Sequence, residues 1–324
     1  MTETPLAGIE LVLADLDGVV YKGADAIPYA VESINAIAST IRVAYLTNNA
    51  SRTDASVAAH LTELGLRVAA NDVVTSPQAA VRLLAGMIPA GAKVLVVGGE
   101  GLTVEVEKGG FVVTRSAEDS PAAVIQGFAP EVGWKDLAEA AFALHSGIPW
   151  VATNTDWTLP LARGTAPGNG TLVSAVHTAV GILPVVAGKP EVAIYDEAMN
   201  RYGSRAALMI GDRLDTDIKG ANRAGIPSVQ VLTGIDQAKQ LLAAVPDERP
   251  TFIVDDLRGL HEPYPATVVD GEVTTVGTAA VRLAGNRLTA ERGAGIDLLR
   301  AASTAIWDSA KPIYALDVAP ELYS

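Results

Sequence analysis

The chain has 324 residues, 49% hydrophobic and 19% charged, which is enough for two or three domains with large cores and excludes a disordered protein. A formal net charge of −13 makes nucleic acid and anionic membrane surfaces poor partners. Cysteine is absent, which excludes disulfides and thiolate nucleophiles, and no apolar run approaches the ~20 residues that span a bilayer. The N-terminus lacks the pattern of a signal peptide, so we expect a soluble, cytoplasmic protein.

The chain begins with alternating strands and helices. We predict a buried strand at 9–13, a helix from Pro28 to about Ser39, a strand at 42–46 and a helix that begins at Thr53. This order is typical of a parallel sheet covered by helices, and so of an α/β fold. The pattern resumes later in the chain, with further strands expected at 206–210, 228–232 and 251–254.

A second α/β unit interrupts the first one. Its strands are expected at 94–97, 122–127 and 150–153, with helices between them. A unit of about a hundred residues is a normal domain size. We therefore assign the core domain to residues 1–75 and 186–262 and the inserted domain to residues 76–185.

Residues 263–324 form a third region, which follows a linker that contains two prolines. Two strands joined by Asp270-Gly271, a helix over 295–307 and a strand near 313–316 predict a small α+β extension. The extension is too short to bury much core by itself, so we expect it to pack on the core domain.

Asp15 and Asp17 follow the first buried strand, and Gly18 permits a sharp turn after them. In an extended chain, residues two apart point to the same face, which would place the two carboxylates side by side. Close carboxylates repel unless a cation lies between them. A lone Asp-x-Asp can simply end a loop, so the assignment depends on the rest of the chain.

Two other strand ends carry polar side chains: Thr47 and Asn48 after the second strand, and Asp212 with Asp217 after the strand at 206–210. The carboxyl ends of parallel strands share one edge of the sheet, so we expect these groups to converge there. Oxygen ligands favour Mg²⁺, and none of the four histidines neighbours the acids, which disfavours zinc. Carboxylates, a hydroxyl, a metal and the lysine at 189 together suit phosphoryl transfer.

Four short motifs occur in an order that resembles the haloacid-dehalogenase superfamily of phosphatases. They are Asp15-Leu-Asp17-Gly18, Leu46-Thr47-Asn48-Asn49, Gly188-Lys189-Pro190 and Gly211-Asp212 through Asp217. The inserted domain is similar to the large α/β (C2-type) cap of the branch that contains 4-nitrophenylphosphatase-like, phosphoglycolate, glycerol-3-phosphate and pyridoxal-phosphate phosphatases. The resemblance covers about residues 9–260 and implies a Rossmann-like core with a cap domain.

The resemblance implies roles for the acids. Asp15 would be the nucleophile and a Mg²⁺ ligand. Asp17 would protonate the leaving alcohol, then activate water, and bind Mg²⁺ through its main-chain carbonyl. Asp212 would be the side-chain metal ligand, and Asp217 would orient the metal-bound waters or Lys189.

The remaining motif residues would hold the phosphoryl group. The resemblance implies that Thr47, Asn48 and Asn49 bind its oxygens, and that Lys189 neutralises its charge and that of Asp15. Thr47 and Lys189 therefore count as catalytic residues together with the two aspartates of the first motif.

The cap contains a stretch that resembles the substrate loop of this branch. It consists of Asn154-Thr155-Asp156-Trp157 with Arg163 and Gly168-Asn169-Gly170. Asn154, Asp156 and Arg163 are candidates for contact with the leaving group. The loop lacks the histidine that is usual in the pyridoxal-phosphate members, which disfavours that substrate.

We therefore predict a Mg²⁺-dependent phosphoric monoester hydrolase of small metabolites, acting on glycerol 3-phosphate or 2-phosphoglycolate through an aspartyl-phosphate. A pyridoxal-phosphate or nucleotide monophosphatase of the same branch is the alternative. A phosphoaccepting receiver protein would also use clustered aspartates, but it has no inserted domain. The expected partner is a small phosphorylated metabolite, with no nucleic acid and no membrane, and the sequence leaves a homodimer open.

Overall fold

The computed structural model describes residues 3–161 and 163–323, which form two compact units. The first unit combines Met1–Val43 with Arg205–Ser324, and the second is Ala44–Ser204. The boundaries proposed above for core, cap and extension stay predictions. Within the described ranges, no helix is both long and apolar enough to cross a membrane.

Strands and helices alternate along most of the chain. The strands are β1 Leu11–Asp15, β2 Tyr21–Lys22, β3 Asp25–Ala26, β4 Arg42–Thr47, β5 Val73–Thr75, β6 Lys93–Val97, β7 Val112–Thr114, β8 Ala123–Gln126, β9 Trp150–Ala152, β10 Thr158–Leu161, β11 Gly164–Pro167, β12 Val185–Val186, β13 Ala207–Gly211, β14 Ser228–Val231, β15 Phe252–Val254, β16 Thr267–Asp270, β17 Val273–Val276, β18 Ala279–Ala284, β19 Arg287–Arg292 and β20 Asp317–Val318. The α-helices are α1 Ala30–Ile37, α2 Asp54–Glu63, α3 Ser76–Ala85, α4 Glu100–Lys108, α5 Trp134–Leu144, α6 Asn169–Val180, α7 Val192–Tyr202, α8 Lys219–Ala224, α9 Ala238–Leu242 and α10 Ile296–Asp308.

The first unit contains a parallel sheet in which β1 pairs with β13, β13 with β14, and β14 with β15. Every residue of β1, β13 and β14 is buried. Continuous apolar runs are what a parallel strand needs when both of its faces are covered. The parallel α/β arrangement predicted from these runs is therefore confirmed, with β1 ending two residues later than expected.

The second unit contains the parallel pair β4–β5 and a five-stranded parallel sheet in the order β12-β9-β8-β6-β7. Helices α5 and α6 contribute to the core of that sheet through residues such as Leu144 and Val173. Strand β7 and the β10–β11 hairpin were not predicted. Strand β7 has only three residues, and the hairpin carries two prolines, so neither shows the usual strand pattern.

The C-terminal region forms an antiparallel sheet, β16-β17-β18-β19, with β20 parallel to β19. The predicted strand near 313–316 is wrong, because Ile313–Ala315 is a 3-10 helix after Pro312 and the strand begins at Asp317. Buried residues of α10, among them Leu299 and Ile306, share one apolar core with Leu241 and Leu242. Residues of this region and of the preceding part of the unit therefore share one core.

Two side chains of this region cover the main chain of the last parallel strand. The N–H of Ile253 donates to the Tyr264 hydroxyl at 3.1 Å, and Nε and Nη2 of Arg300 donate to the Ile253 carbonyl at 2.9 and 2.7 Å. The Arg300 guanidinium also lies 4.4 Å from the centre of the Tyr264 ring. Among the described residues, β15 is the last strand of its sheet and pairs with β14, so these contacts satisfy an edge that would otherwise be open to pairing.

We expect Arg300→Ala to destabilise the first unit by about 3 kcal/mol, because it removes charge-assisted hydrogen bonds from a half-buried carbonyl. The measurement is the midpoint of urea unfolding. Arg287→Ala is the control, since Arg287 is 74% exposed and its 3.6 Å ion pair with Asp317 is equally exposed. Equal midpoints for the two variants would show that the cover on β15 contributes no stability.

Candidate active site

Three buried carboxylates meet at the carboxyl ends of two neighbouring strands of the first unit. Asp15 is the last residue of β1, and Asp212 follows β13, which pairs with β1 in parallel. Asp217 lies on a π-helical turn, Leu214–Ile218, just after β13. One oxygen of each carboxylate lies within 4.8 Å of the others. We call this set the acidic group.

The acidic group has the composition of a site for a hard divalent cation. Asp212 and Asp217 are 1% and 0% exposed, and Asp15 is 9% exposed. Carboxylates that are this close together and this deeply buried repel one another, and a cation between them offsets that repulsion. Mg²⁺ accepts oxygen ligands and keeps some of its waters, so a few carboxylates at one edge of the site are sufficient.

Two glycines lie against the carboxylate of Asp212. A Cβ added at Gly18 or at Gly234 would overlap that carboxylate. Gly18 also has φ +83°, a conformation that disfavours other residues. The N–H of Ile235 donates to Asp212 Oδ2 at 2.7 Å, which helps to orient the carboxylate.

The loop after β14, residues 232–236, fixes the main chain around Asp212. Nε2 of the buried Gln230 donates to the Asp212 carbonyl at 2.8 Å, and the N–H of Asp236 donates to the same oxygen at 3.1 Å. The Asp236 carboxylate accepts from the N–H of Leu214 at 2.8 Å. Burial raises the pKa of Asp236, and the hydrogen bond from Leu214 opposes the increase.

The sequence interpretation missed this loop. Thr233 Oγ1 donates to the Gly18 carbonyl at 2.6 Å, so the loop also holds the turn after β1. The available signal was the pair Thr233-Gly234 directly after a buried strand, a polar residue and a glycine placed as in the other motifs.

We expect Gly234→Ala to lower activity by roughly tenfold or more and to raise the Mg²⁺ concentration needed for half-maximal rate. The added methyl overlaps Asp212, which must move to make room. Gly133→Ala is the control, since a Cβ there has open space around it. Titration of phosphate release with Mg²⁺ is the measurement, and unchanged half-saturation in Gly234→Ala would contradict the expected coupling.

Asp17 lies outside the strand on which the extended-chain interpretation placed it. Strand β1 ends at Asp15, the chain bends at Leu16, and Asp17 is exposed. The two-residue alternation therefore stops before Asp17, which is outside the acidic group. Its roles as acid and base, and as a metal ligand through its carbonyl, stay predictions.

The second unit places another set of predicted residues at the end of β4. Thr47 is the last residue of that strand and is buried, and its hydroxyl accepts from the N–H of Asn49 at 3.1 Å. Oδ1 of Asn49 accepts from the N–H and the hydroxyl of Ser51 at 2.9 and 2.8 Å. These bonds shape a tight turn between β4 and the N-cap of α2 at Thr53.

Asn48 connects this turn to two other segments of the second unit. Its side chain is hydrogen-bonded to the main chain of Lys189 and to the carboxylate of Asp156. Nδ2 of the buried Asn154 donates to the Asn48 carbonyl at 2.8 Å. Lys189 itself is only 4% exposed. Four predicted residues from three segments thus meet within one unit.

The cap loop rests on the start of α6. Nδ2 of Asn169 donates to the Asn154 carbonyl at 2.7 Å, and the N–H of Gly170 donates to the Asp156 carbonyl at 2.9 Å. A Cβ at Gly170 would overlap the carbonyl of Thr155, so the close approach requires glycine. Arg163 is exposed in the turn between β10 and β11.

The sequence was compared with known families and structures. It matches the family profile "Haloacid dehalogenase-like hydrolase" over residues 12–112 and the profile "HAD-hydrolase-like" over residues 186–260. It is 46% identical over 311 residues to the D-glycerol 3-phosphate phosphatase of Mycobacterium tuberculosis, covering 93% of this chain and 86% of that protein. The chain belongs to the haloacid dehalogenase-like hydrolases. The predicted family is therefore confirmed.

One further relative and one solved structure agree with this haloacid dehalogenase-like assignment. An acid sugar phosphatase of Staphylococcus saprophyticus is 32% identical over 249 residues, 76% of this chain and 94% of that protein. The crystal structure of glycerol phosphate phosphatase from Mycobacterium tuberculosis in complex with magnesium superposes with a TM-score of 0.88 at 43% identity, covering 98% of this chain and 95% of that one. The predicted fold class and the predicted enzyme class, a phosphoric monoester hydrolase, are confirmed.

Proposed function

We propose that the protein is a Mg²⁺-dependent phosphatase that hydrolyses glycerol 3-phosphate, with 2-phosphoglycolate as the nearest alternative substrate. The observation that carries the proposal is the acidic group, three buried carboxylates that can hold Mg²⁺ beside a nucleophilic oxygen of Asp15. The choice of glycerol 3-phosphate follows the similarity to a D-glycerol 3-phosphate phosphatase over most of both chains.

In the proposed reaction, a carboxylate oxygen of Asp15 attacks phosphorus and the bond to the alcohol oxygen breaks, while Asp17 gives its proton to that oxygen. Asp17 then removes a proton from water, which attacks the aspartyl-phosphate and releases inorganic phosphate. Both residues return to their starting states. When bound by Asp15, Asp212 and the Asp17 carbonyl, Mg²⁺ would offset charge on the phosphoryl oxygens. Asp217 would orient the metal's waters or Lys189.

The residues of the second unit are proposed, from the motif resemblance, to bind the phosphoryl group. Thr47 offers its hydroxyl proton and Lys189 its ammonium charge. Asn49 offers its side-chain NH₂ group, since its main-chain N–H already donates to the Thr47 hydroxyl. The carboxamide of Asn48 is hydrogen-bonded within the unit, so its main-chain N–H is the group we assign to the phosphoryl oxygens.

The proposed contacts with the leaving group come from the cap. Arg163 is exposed and carries a positive charge that suits a hydroxyl or carboxylate. The side chains of Asn154 and Asp156 hydrogen-bond to Asn48. We propose that they contact the leaving group through the polar atoms that these bonds do not use. We also propose a cytoplasmic location, consistent with the absence of cysteine, and leave a homodimer open.

We expect phosphate release to require Mg²⁺, to stop on addition of a chelator and to return when Mg²⁺ is restored. A panel with glycerol 3-phosphate, 2-phosphoglycolate, pyridoxal phosphate, nucleoside monophosphates and sugar phosphates ranks the substrates by kcat/KM. A higher kcat/KM for a nucleotide or for pyridoxal phosphate would contradict the proposed substrate. A single labelling event without turnover would point to a receiver instead.

A further inference from the structure

The side chain of Asn48 pairs with the main chain of Lys189 at two points. The N–H of Lys189 donates to Asn48 Oδ1 at 2.8 Å, and Nδ2 of Asn48 donates to the Lys189 carbonyl at 3.0 Å. Nδ2 also donates to the two carboxylate oxygens of Asp156, at 3.1 and 3.3 Å. An asparagine carboxamide offers one oxygen and two N–H groups, and all of them are engaged here.

The neighbours of the carboxamide leave it one orientation. The Asp156 carboxylate can only accept, and the Lys189 N–H can only donate, so Nδ2 must face the aspartate and Oδ1 the lysine. The terminal torsion of asparagine is otherwise broad, and a flipped amide would lose these bonds. The bond to a charged carboxylate is also stronger than one between neutral groups. The Lys189 N–H and carbonyl and the Asp156 carboxylate therefore favour the same orientation of Asn48, and Asp156 adds the one charged acceptor among them.

The main chain just before Lys189 packs closely against Asn48 and Thr153. A Cβ added at Gly188 would lie 2.5 Å from Asn48 Oδ1 and 2.5 Å from the carbonyl of Thr153. The N–H of Gly188 donates to that carbonyl at 2.7 Å. A lysine ammonium stands at the end of a flexible four-carbon stem, so its position depends on where its main chain is anchored.

We propose that Asp156 is a positioning residue: acting through Asn48, it holds the main chain of Lys189 where the ammonium can neutralise the phosphoryl group. The proposal rests on the proposed function, in which Lys189 acts on the phosphoryl group common to all substrates. Loss of Asp156 should therefore lower kcat by a similar factor for every phosphate ester. A residue that touched the leaving group would instead change the ranking of substrates.

The experiment compares Asp156→Ala, Asp156→Asn, Asn48→Asp and the exchange Asn48→Asp/Asp156→Asn, with glycerol 3-phosphate and 4-nitrophenyl phosphate as substrates. In the exchange, the new aspartate accepts from the Lys189 N–H and from the new asparagine, which restores the link between the two side chains with its polarity reversed. The Lys189 carbonyl loses the donor that Asn48 Nδ2 provides, so we expect a partial recovery. Asp136→Asn is the charge-matched control, because its carboxylate accepts from the Gly133 N–H at the start of α5. Circular dichroism and thermal unfolding test the fold of each variant.

We expect Asp156→Ala to lower kcat roughly 10- to 100-fold for both substrates with little change in KM. Asn48→Asp should be worse, since two carboxylates then face each other, and the exchange should recover kcat at least about fivefold over Asn48→Asp. A loss confined to one substrate, a change in KM alone, or an exchange no better than Asn48→Asp would overturn the proposal. If Asp156→Ala unfolds, Asp156→Asn and the exchange still decide the outcome.

Failure of the proposed function looks different from failure of this inference. If the unaltered protein releases no phosphate from any ester with Mg²⁺, the phosphatase assignment itself is wrong. If the unaltered protein does release phosphate, but the Asp156 variants affect only one substrate or only KM, or the exchange is no better than Asn48→Asp, then only the positioning role of Asp156 is wrong.

Discussion

Replacing Asp15 by asparagine is expected to lower the steady-state rate of phosphate release by roughly 10⁴-fold or more, while the protein stays folded. An amide cannot serve as the nucleophile that forms the acyl-phosphate. The change is isosteric and removes one of three close, buried carboxylates, so repulsion within the acidic group falls rather than rises.

The measurement is phosphate release over many turnovers, with mass spectrometry to confirm that asparagine has not deamidated. Asp215→Asn is the matched control, because Asp215 lies in the same motif but is 57% exposed and pairs with Arg213 at 2.8 Å. The control should keep nearly full activity. Substantial turnover in a verified Asp15→Asn preparation would mean that another group is the nucleophile.

The places of Asp15 and Asp212 could be predicted from the sequence because each follows an apolar run that is buried on both faces. Such runs identify strands of a parallel sheet, and the rule that strand ends share one edge brings the two acids together. The pairing of β1 with β13 and the burial of Asp15, Asp212 and Asp217 agree with that expectation. Periodicity was sufficient here because burial on both faces leaves a strong signal.

Other parts of the site depend on contacts between distant segments, which no local pattern records. The extended-chain rule failed at Asp17, because a bend at Leu16 ends the strand first. The support that Gln230 and Gly234 give to Asp212 comes from strand β14 and the loop after it, about twenty residues further along the chain. The link from Asp156 to Asn48 joins side chains 108 positions apart. These interactions follow from the tertiary structure and can be recognised only there.

The C-terminal region shows the same limit at the level of the fold. Its helix α10 was predicted almost in full, since its apolar residues recur at helical spacing. Strands β18 and β19 were missed, although they form the centre of the antiparallel sheet. Together the two strands contain several arginines and alanines in place of the β-branched and aromatic residues that are typical of strands. Strand propensity therefore gives little signal for them.

Asp212→Asn is expected to raise the Mg²⁺ concentration for half-maximal activity by more than tenfold and to lower the maximal rate as well. The carboxylate is the one side-chain ligand that the proposed mechanism assigns to the metal besides Asp15. An asparagine keeps an oxygen that can accept from the Ile235 N–H, the bond that now reaches Oδ2 at 2.7 Å, so the loop after β14 should hold its place. The effect then reports the lost charge rather than a lost fold.

The test is a Mg²⁺ titration of phosphate release, with calorimetry of Mg²⁺ binding to the protein without substrate. Asp236→Asn serves as the control, since its carboxylate accepts from the Leu214 N–H at 2.8 Å in the same part of the unit but lies outside the acidic group. That control should bind Mg²⁺ nearly as the unaltered protein does, because an amide oxygen can take over the hydrogen bond from Leu214. If Asp212→Asn saturates at the same Mg²⁺ concentration as the unaltered protein, Asp212 is not a ligand. In that case Asp217, which is buried and belongs to the same acidic group, becomes the carboxylate to test in its place.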